Sequence, residues 1–227
     1  MLRLLAVALL AAPAVAADAV VPFNGKDLTG WKVKDAKKSQ WRASFVIVDE
    51  TNPAAFTTLK PAADAALWLS NVKGGGTDIF TEAKFGDCVI ELEFMVPKGS
   101  NSGVYVMGEY EVQILDSYGK ADDKLTQGDL GALYSAAAPK KNFAKKPGEW
   151  QSFVIDFTAP TFEGDKKTAS AKFVKVTLNG QVVHENVAMK QHTPGGLTGK
   201  EAATGPLMFQ GDHGPVTFRN IKVTPKK

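Results

Sequence analysis

The sequence predicts an all-β fold of two packed antiparallel sheets with little helix. Three observations carry this. Apolar and polar residues alternate with a period of two from the middle of the chain to its end. No segment after the first 17 residues sustains a helical period, and Gly, Pro, Asn and Asp interrupt the apolar runs at short intervals.

Taken in order, the chain opens on a positive charge at Arg3, an apolar run over residues 4–12 and an A-x-A pattern at Ala14 and Ala16. Residues 1–17 are therefore expected to be a secretory signal peptide and residues 18–227 one mature domain, periplasmic or secreted. The apolar run is short for a bilayer core of about 30 Å. The single cysteine, Cys88, lies far from the leader, so no lipidated anchor and no internal disulfide is expected. Within 88–96, Cys88, Ile90, Leu92, Phe94 and Val96 share one face, which makes Cys88 a small buried hydrophobe. The other expected strands are 41–48, 66–69, 102–107, 110–115, 150–157, 173–178, 181–187, 207–210 and 216–223. Asn179-Gly180 between two of them suits a type I′ hairpin turn. Residues 74–76, 97–101 and 194–196 read as loops, and 116–131 as a long surface loop of the sort that shapes binding sites. The four tryptophans, Trp31, Trp41, Trp68 and Trp150, are spaced as core anchors.

The net charge of +3 falls to about +2 without Arg3, and the lysine pairs are interspersed with acids and glycines. A nucleic-acid partner is not expected on this charge.

Several segments follow one another in an order that carries a resemblance: residues 23–31 (FNGKDLTGW), 99–105 (GSNSGVY), 110–116 (YEVQILD), 147–150 (PGEW), 178–180 (LNG) and 205–221. Over nearly the whole mature chain the sequence resembles the 3-keto-disaccharide hydrolase family. The resemblance implies a concanavalin-like jelly-roll sandwich, exported by bacteria, acting on carbohydrate: glycosides whose C3 hydroxyl has been oxidised to a ketone. That ketone acidifies the C2 proton, so a base can remove it and the C1 substituent can depart by elimination, with water adding afterwards. Such chemistry needs a base, a hydrogen-bonding or positive group near the ketone oxygen, and an acid for the leaving group.

The residues offer two constellations for it. On a strand over 110–115, Glu109, Glu111 and Gln113 share one face, while Asp116 falls at the rim. In the segment 210–220, Gln210 precedes the glycine-flanked His213, the best base or metal ligand of the three histidines. His184 and His192 read as structural or solvated. Arg219 alternates with Thr217, Ile221 and Val223, which places it on the apolar side as an ion-pair partner of Glu111 or Asp116 or as a contact to sugar. The expected catalytic residues are thus His213, Glu111 and Asp116, and the expected substrate contacts Gln113, Arg219, Asn101, Tyr105 and Gln210, with Ser102 and Tyr134 as further options. The sequence names no definite cofactor, and His213 and Glu111 leave a divalent ion open. Two other functions fit the same fold. One is a non-catalytic carbohydrate-binding module. The other is a retaining glucanase, against which stands Gln113, an amide where an acid is needed.

Overall fold

The computed structural model describes residues 18–226, and the leader expected over 1–17 lies outside them. Fifteen strands run in chain order among the described residues: β1 Trp31–Val33, β2 Trp41–Val48, β3 Phe56–Leu59, β4 Trp68–Asn71, β5 Ile79–Phe85, β6 Cys88–Met95, β7 Asn101–Val106, β8 Tyr110–Leu115, β9 Gln151–Thr158, β10 Thr161–Glu163, β11 Lys166–Ala169, β12 Lys172–Leu178, β13 Gln181–Ala188, β14 Gly205–Phe209 and β15 Val216–Pro225. The only helical element among them is a three-residue 3-10 turn, Asp122–Lys124, inside the expected long loop.

Antiparallel pairing builds a five-stranded sheet in the order β1, β5, β14, β7, β8 and an eight-stranded sheet in the order β13, β12, β9, β6, β15, β4, β2, β3, with β10 and β11 forming a separate hairpin. The two large sheets face each other across one apolar core, the pair of packed sheets that the alternation predicts and the jelly-roll sandwich that the resemblance implies. In β6, Cys88, Ile90, Leu92 and Phe94 are at most 2% exposed while the intervening side chains are half-buried. Asn179 and Gly180 both take positive φ, 53° and 77°, as the hairpin turn between β12 and β13 requires. Strands β1, β3, β5, β10 and β11 were not expected, because they are short or carry polar residues where apolar alternation would mark a strand.

Four aromatic rings form a stack through the sandwich. Phe209 of β14 lies on Phe218 of β15 with centroids 3.9 Å apart and planes 10° from parallel, and Trp31 and Trp41 stack on the outer faces of that pair at 5.4 and 6.3 Å. Phe209 belongs to the five-stranded sheet and Phe218 to the eight-stranded one, so this contact joins the layers. The other two tryptophans depart from the expectation. Trp68 and Trp150 are half-buried and pack on a second, smaller cluster of Val46, Val72 and Met95.

Strand β15 also overturns one expectation. A bulge between Arg219 and Lys222, where Asn220 has φ 53°, inserts one residue and resets the alternation. Phe218, Ile221 and Val223 point into the core, and Arg219 points away from it.

Phe218 fills the centre of the interlayer stack and is fully buried. Phe218→Ala is expected to destabilise the protein by about 3–5 kcal/mol, measured as a lowered midpoint in urea or guanidinium unfolding.

Candidate functional site

Strand β8 divides its side chains between the two faces of the five-stranded sheet. Tyr110, Val112 and Ile114 enter the core, so Glu109, Glu111 and Gln113 stand on the opposite face, as the two-residue period dictates. The neighbouring β7 does the same: Val104 and Val106 enter the core, leaving Asn101, Gly103 and Tyr105 on the face with the glutamates. The register sets Tyr105 opposite Glu111 and Gly103 opposite Gln113.

This outer face is not solvated. Residues 131–134 extend β8 sideways through Gln113 N–H to Ala132 O at 2.9 Å, Gly131 N–H to Gln113 O at 2.9 Å and Tyr134 N–H to Glu111 O at 3.2 Å. Since Leu133 bridges Val112 and is buried in the core, Tyr134 falls on the Glu111 side. A second segment, 193–199, crosses the same face. Thr193 N–H donates to Glu109 O, Leu197 N–H to Gly108 O, and the buried Glu109 carboxylate accepts Thr198 N–H, Thr198 Oγ1–H and Gly199 N–H. Glu109 is thereby fully occupied in holding a loop.

Between these segments lies a pocket of about 210 Å³ lined by Asn101, Tyr105, Glu111, Gln113, Tyr134, Pro194, Gly195, Gln210 and His213. Glu111 is its perturbed carboxyl. Its side chain is 2% exposed; Oε2 accepts the Tyr105 hydroxyl at 2.9 Å, whereas Oε1 hydrogen-bonds to nothing else in the protein. Burial pushes its pKa from 4.5 up to about 8, the Tyr105 hydrogen bond opposes the rise, and the charges of Asp78 and Asp212 add to it. Burial, followed by the Glu111 charge, raises the Tyr105 phenol above its ordinary range. Room for the carboxyl comes from Gly103, where a Cβ would sit 2.2 Å from Glu111 Oε1.

The rest of the pocket is polar. Gln113 Nε2 donates to Asn101 Oδ1 at 2.7 Å. Gln210, at the end of β14, keeps a buried Oε1 without a partner, like that of Glu111. His213 stands at the rim with its side chain about half exposed, and its Nδ1 lies 2.5 Å from Asp212 Oδ1. A carboxylate accepts only, so Nδ1 carries a proton, and the neutral tautomer that this selects has its lone pair at Nε2.

Six of the eight expected residues therefore meet in one pocket: His213, Glu111, Gln113, Asn101, Tyr105 and Gln210. Two do not. Asp116 follows the end of β8, where the chain turns, and its carboxylate accepts Gly99 N–H at 2.8 Å and Tyr118 N–H at 3.3 Å beside a different hollow. Arg219, turned outward by the bulge, pairs through Nε with Glu93 Oε2 at 2.6 Å and lies 3.9 Å over the Trp150 ring on the far sheet. Ser102 is fully buried and donates to Gln210 O at 2.8 Å rather than facing the pocket. His184 is the structural histidine expected, buried with Nε2 at 2.9 Å from Gly131 O. Pro194 and Gly195 were not anticipated as parts of the site. The Pro-Gly-Gly signal marks a loop but not the face it covers. As for a metal, no group of three or more His, Cys, Asp or Glu is placed to hold one among the described residues, so His213 and Glu111 lack a third protein ligand.

The family profile of the 3-keto-alpha-glucoside-1,2-lyase-like domain matches residues 18–224. A crystal structure of a candidate glycosyl hydrolase from Parabacteroides distasonis is similar at 27% identity with a TM-score of 0.66, covering 92% of this chain and 84% of that one. Two further candidate glycosyl hydrolases from the same organism share the fold, one at 19% identity and TM-score 0.59 over 92% of this chain and 94% of its own. The other has 20% identity and TM-score 0.51 over 86% and 99%. No curated protein matches the chain.

The protonation of Glu111 has a measurable effect on folding. Below about 4.5 the carboxyl is protonated whether folded or unfolded; between there and about 8 only the folded form retains the proton. The folded state binds more protons in that window, so stability is expected to fall as pH rises through it, by an amount on the order of a few kcal/mol. Glu111→Gln should remove this slope and be the more stable protein above pH 8, measured by denaturant unfolding at stepped pH.

Proposed function

The chain belongs to the 3-keto-alpha-glucoside-1,2-lyase-like family, and from that membership and its pocket we propose that it is an exported enzyme cleaving 3-keto-glycosides by elimination and hydration. The observation that carries this reading is Glu111: a buried carboxyl beside Tyr105, with one oxygen unpartnered and its pKa raised to about 8, in one pocket with His213. A sugar-binding module has no use for a carboxyl kept protonated near neutrality, and an acid catalyst does.

Two groups divide the work. His213 Nε2, with Nδ1–H held by Asp212, removes the C2 proton, and the electron pair delocalises into the C3 ketone as an enolate. The enolate collapses to a C1–C2 double bond and the C1–O bond breaks. The departing oxygen takes the proton of the neutral Glu111 carboxyl, leaving a carboxylate that Tyr105 stabilises by its hydrogen bond. Hydration reverses the roles: Glu111 takes a proton from water as its oxygen adds to C1, and the imidazolium returns a proton to C2. The amides of Gln113 and Gln210 and the Asn101 side chain serve the sugar hydroxyls and the ketone oxygen. Burial of the pocket keeps these hydrogen bonds in a low dielectric, where they are stronger.

Export rests on the leader expected over residues 1–17, with residues 18–227 acting as a single mature domain. N-terminal sequencing of protein recovered from the periplasm should begin just after the A-x-A site, at Ala17 or Asp18; retention of Met1 there would remove this part of the proposal.

For the chemistry, the mature protein is incubated in deuterated water with methyl 3-keto-glucoside and with methyl glucoside, followed by NMR. Turnover of the keto compound alone, with deuterium at C2, is the expected result. Glu111→Gln and His213→Ala should each lower kcat by about 10²–10⁴-fold, and wild-type kcat/KM should decline above about pH 8 as Glu111 ionises. Equal turnover of both compounds would point to an ordinary glycosidase, and saturable binding without turnover to a carbohydrate-binding module; either overturns the proposal.

A further inference from the structure

The Gly74-Gly75-Gly76 run and the buried Asn71 before it line no part of the pocket, yet they lie against the loop that carries His213. We propose that Asn71 and Gly74 position the imidazole of His213, so that the base of the reaction is aimed from the opposite sheet by residues that stand outside the pocket. The inference rests on the elimination chemistry proposed above and adds the residues that hold its base.

Topology brings the two segments together. Residues 72–78 lead from β4 to β5, and residues 210–215 lead from β14 to β15. Strand β4 pairs with β15 in the eight-stranded sheet, where Asn71 is opposite Val216, and β5 pairs with β14 in the five-stranded one, where Ile79 is opposite Phe209. The two connections therefore cross between the layers side by side. A hydrogen bond joins them midway, from Gly75 N–H to Asp212 O at 3.0 Å, and the buried Asp78 carboxylate accepts Gly211 N–H at 3.1 Å.

Asn71 closes the His213 loop at both ends. Its Nδ2 donates to Gly211 O at 2.9 Å and to Gly214 O at 3.0 Å, the carbonyls on either side of Asp212 and His213. Two acceptors fix which end of the amide faces the loop, since only the NH2 group can donate. The other end, Oδ1, is buried without a partner, which costs stability. Donation to the loop is what the amide offers against that cost.

Close packing secures the loop from both sides. A Cβ at Gly74 would stand 2.5 Å from His213 O, and one at Gly76 would stand 3.1 Å from Gly211 O. From within the loop, a Cβ at Gly211 would collide with Thr77 O, and one at Gly214 would stand 2.7 Å from Asn101 N. Backbone thus meets backbone wherever the loop touches its neighbours. Among the described residues the His213 ring hydrogen-bonds to Asp212 alone, so its aim is set by the backbone that Asn71 and the glycines hold. A catalytic group misplaced by about 1 Å loses on the order of 10²-fold in rate.

Two substitutions test this, Asn71→Leu, which removes the donor, and Gly74→Ala. Gly74 does not take a positive φ, so alanine fits its backbone and the new methyl group meets the His213 carbonyl. Thermal unfolding confirms that each variant is folded; should Asn71→Leu fail to fold, Gly74→Ala alone decides. On methyl 3-keto-glucoside each is expected to lower kcat by about 10–100-fold with KM nearly unchanged. Placed in His213→Ala, neither should lower kcat further, since no base remains to be aimed. An unchanged kcat in Gly74→Ala, a rise in KM alone, or a loss of the same size in the His213→Ala background overturns the inference. If the wild type does not turn over the keto compound, the elimination reading itself fails, and ¹⁵N NMR of the imidazoles decides the positioning. Loss of the His213 Nδ1–H signal in Gly74→Ala, with the His184 signals unmoved, supports it; His213 signals identical to wild type overturn it.

Discussion

The contact between Phe209 and Phe218 is the constraint on which the site depends. Each ring comes from a different sheet, and the chain between them is the segment that carries Gln210, Asp212 and His213. Because the two rings are stacked and buried, both ends of that connection are fixed to the core. The histidine can stand at a half-exposed rim and still be positioned, since the loop has little freedom between its anchors. Trp31 and Trp41 extend the stack on either side, and Trp41 further ties the loop's surroundings through its indole N–H to Thr77 O at 2.6 Å. A site held in this way from a rigid scaffold loses least when a ligand binds.

The second constraint is electrostatic. Glu111 lies on the outer face of a sheet, where a carboxylate would ordinarily be solvated. Two irregular segments, 131–134 and 193–199, are hydrogen-bonded over that face and exclude water from it. Glu109, two residues earlier on the same face, is satisfied by three donors of the covering loop, while Glu111 receives one and is left with an unpaired oxygen. Two identical side chains in one row thus acquire opposite functions from what covers them: one fastens the lid of the pocket and the other keeps its proton.

The sandwich and the row on β8 are legible in the sequence because both follow from a period of two, which needs only local information. Glu111 and Gln113 fall on one face by counting, whereas Tyr105 and Asn101 join them through the register of β7 against β8. Arg219 is misplaced by the same counting, because the bulge at Asn220 adds one residue and the sequence carries no unambiguous sign of it. Asp116 fails at a strand end, where alternation stops having meaning and a carboxylate is free to cap nearby N–H groups. The parts of the pocket supplied by Pro194 and Gly195 come from a segment distant in sequence, and a glycine-rich stretch does not announce the surface on which it lies. Burial of Glu111, the property that gives it chemistry, depends wholly on the segments that cover it.

Gly103 and Glu111 are not cross-strand partners; the register pairs Gly103 with Gln113, and the glutamate reaches diagonally into the space a side chain at 103 would fill. A glycine within a strand ordinarily weakens it. Here the two positions are locked together in heredity: a descendant that gains any side chain at 103 must shorten residue 111 or expel its carboxyl from the pocket. Glycine at 103 and a buried carboxyl at 111 are therefore a matched pair, the space of the one being the room of the other.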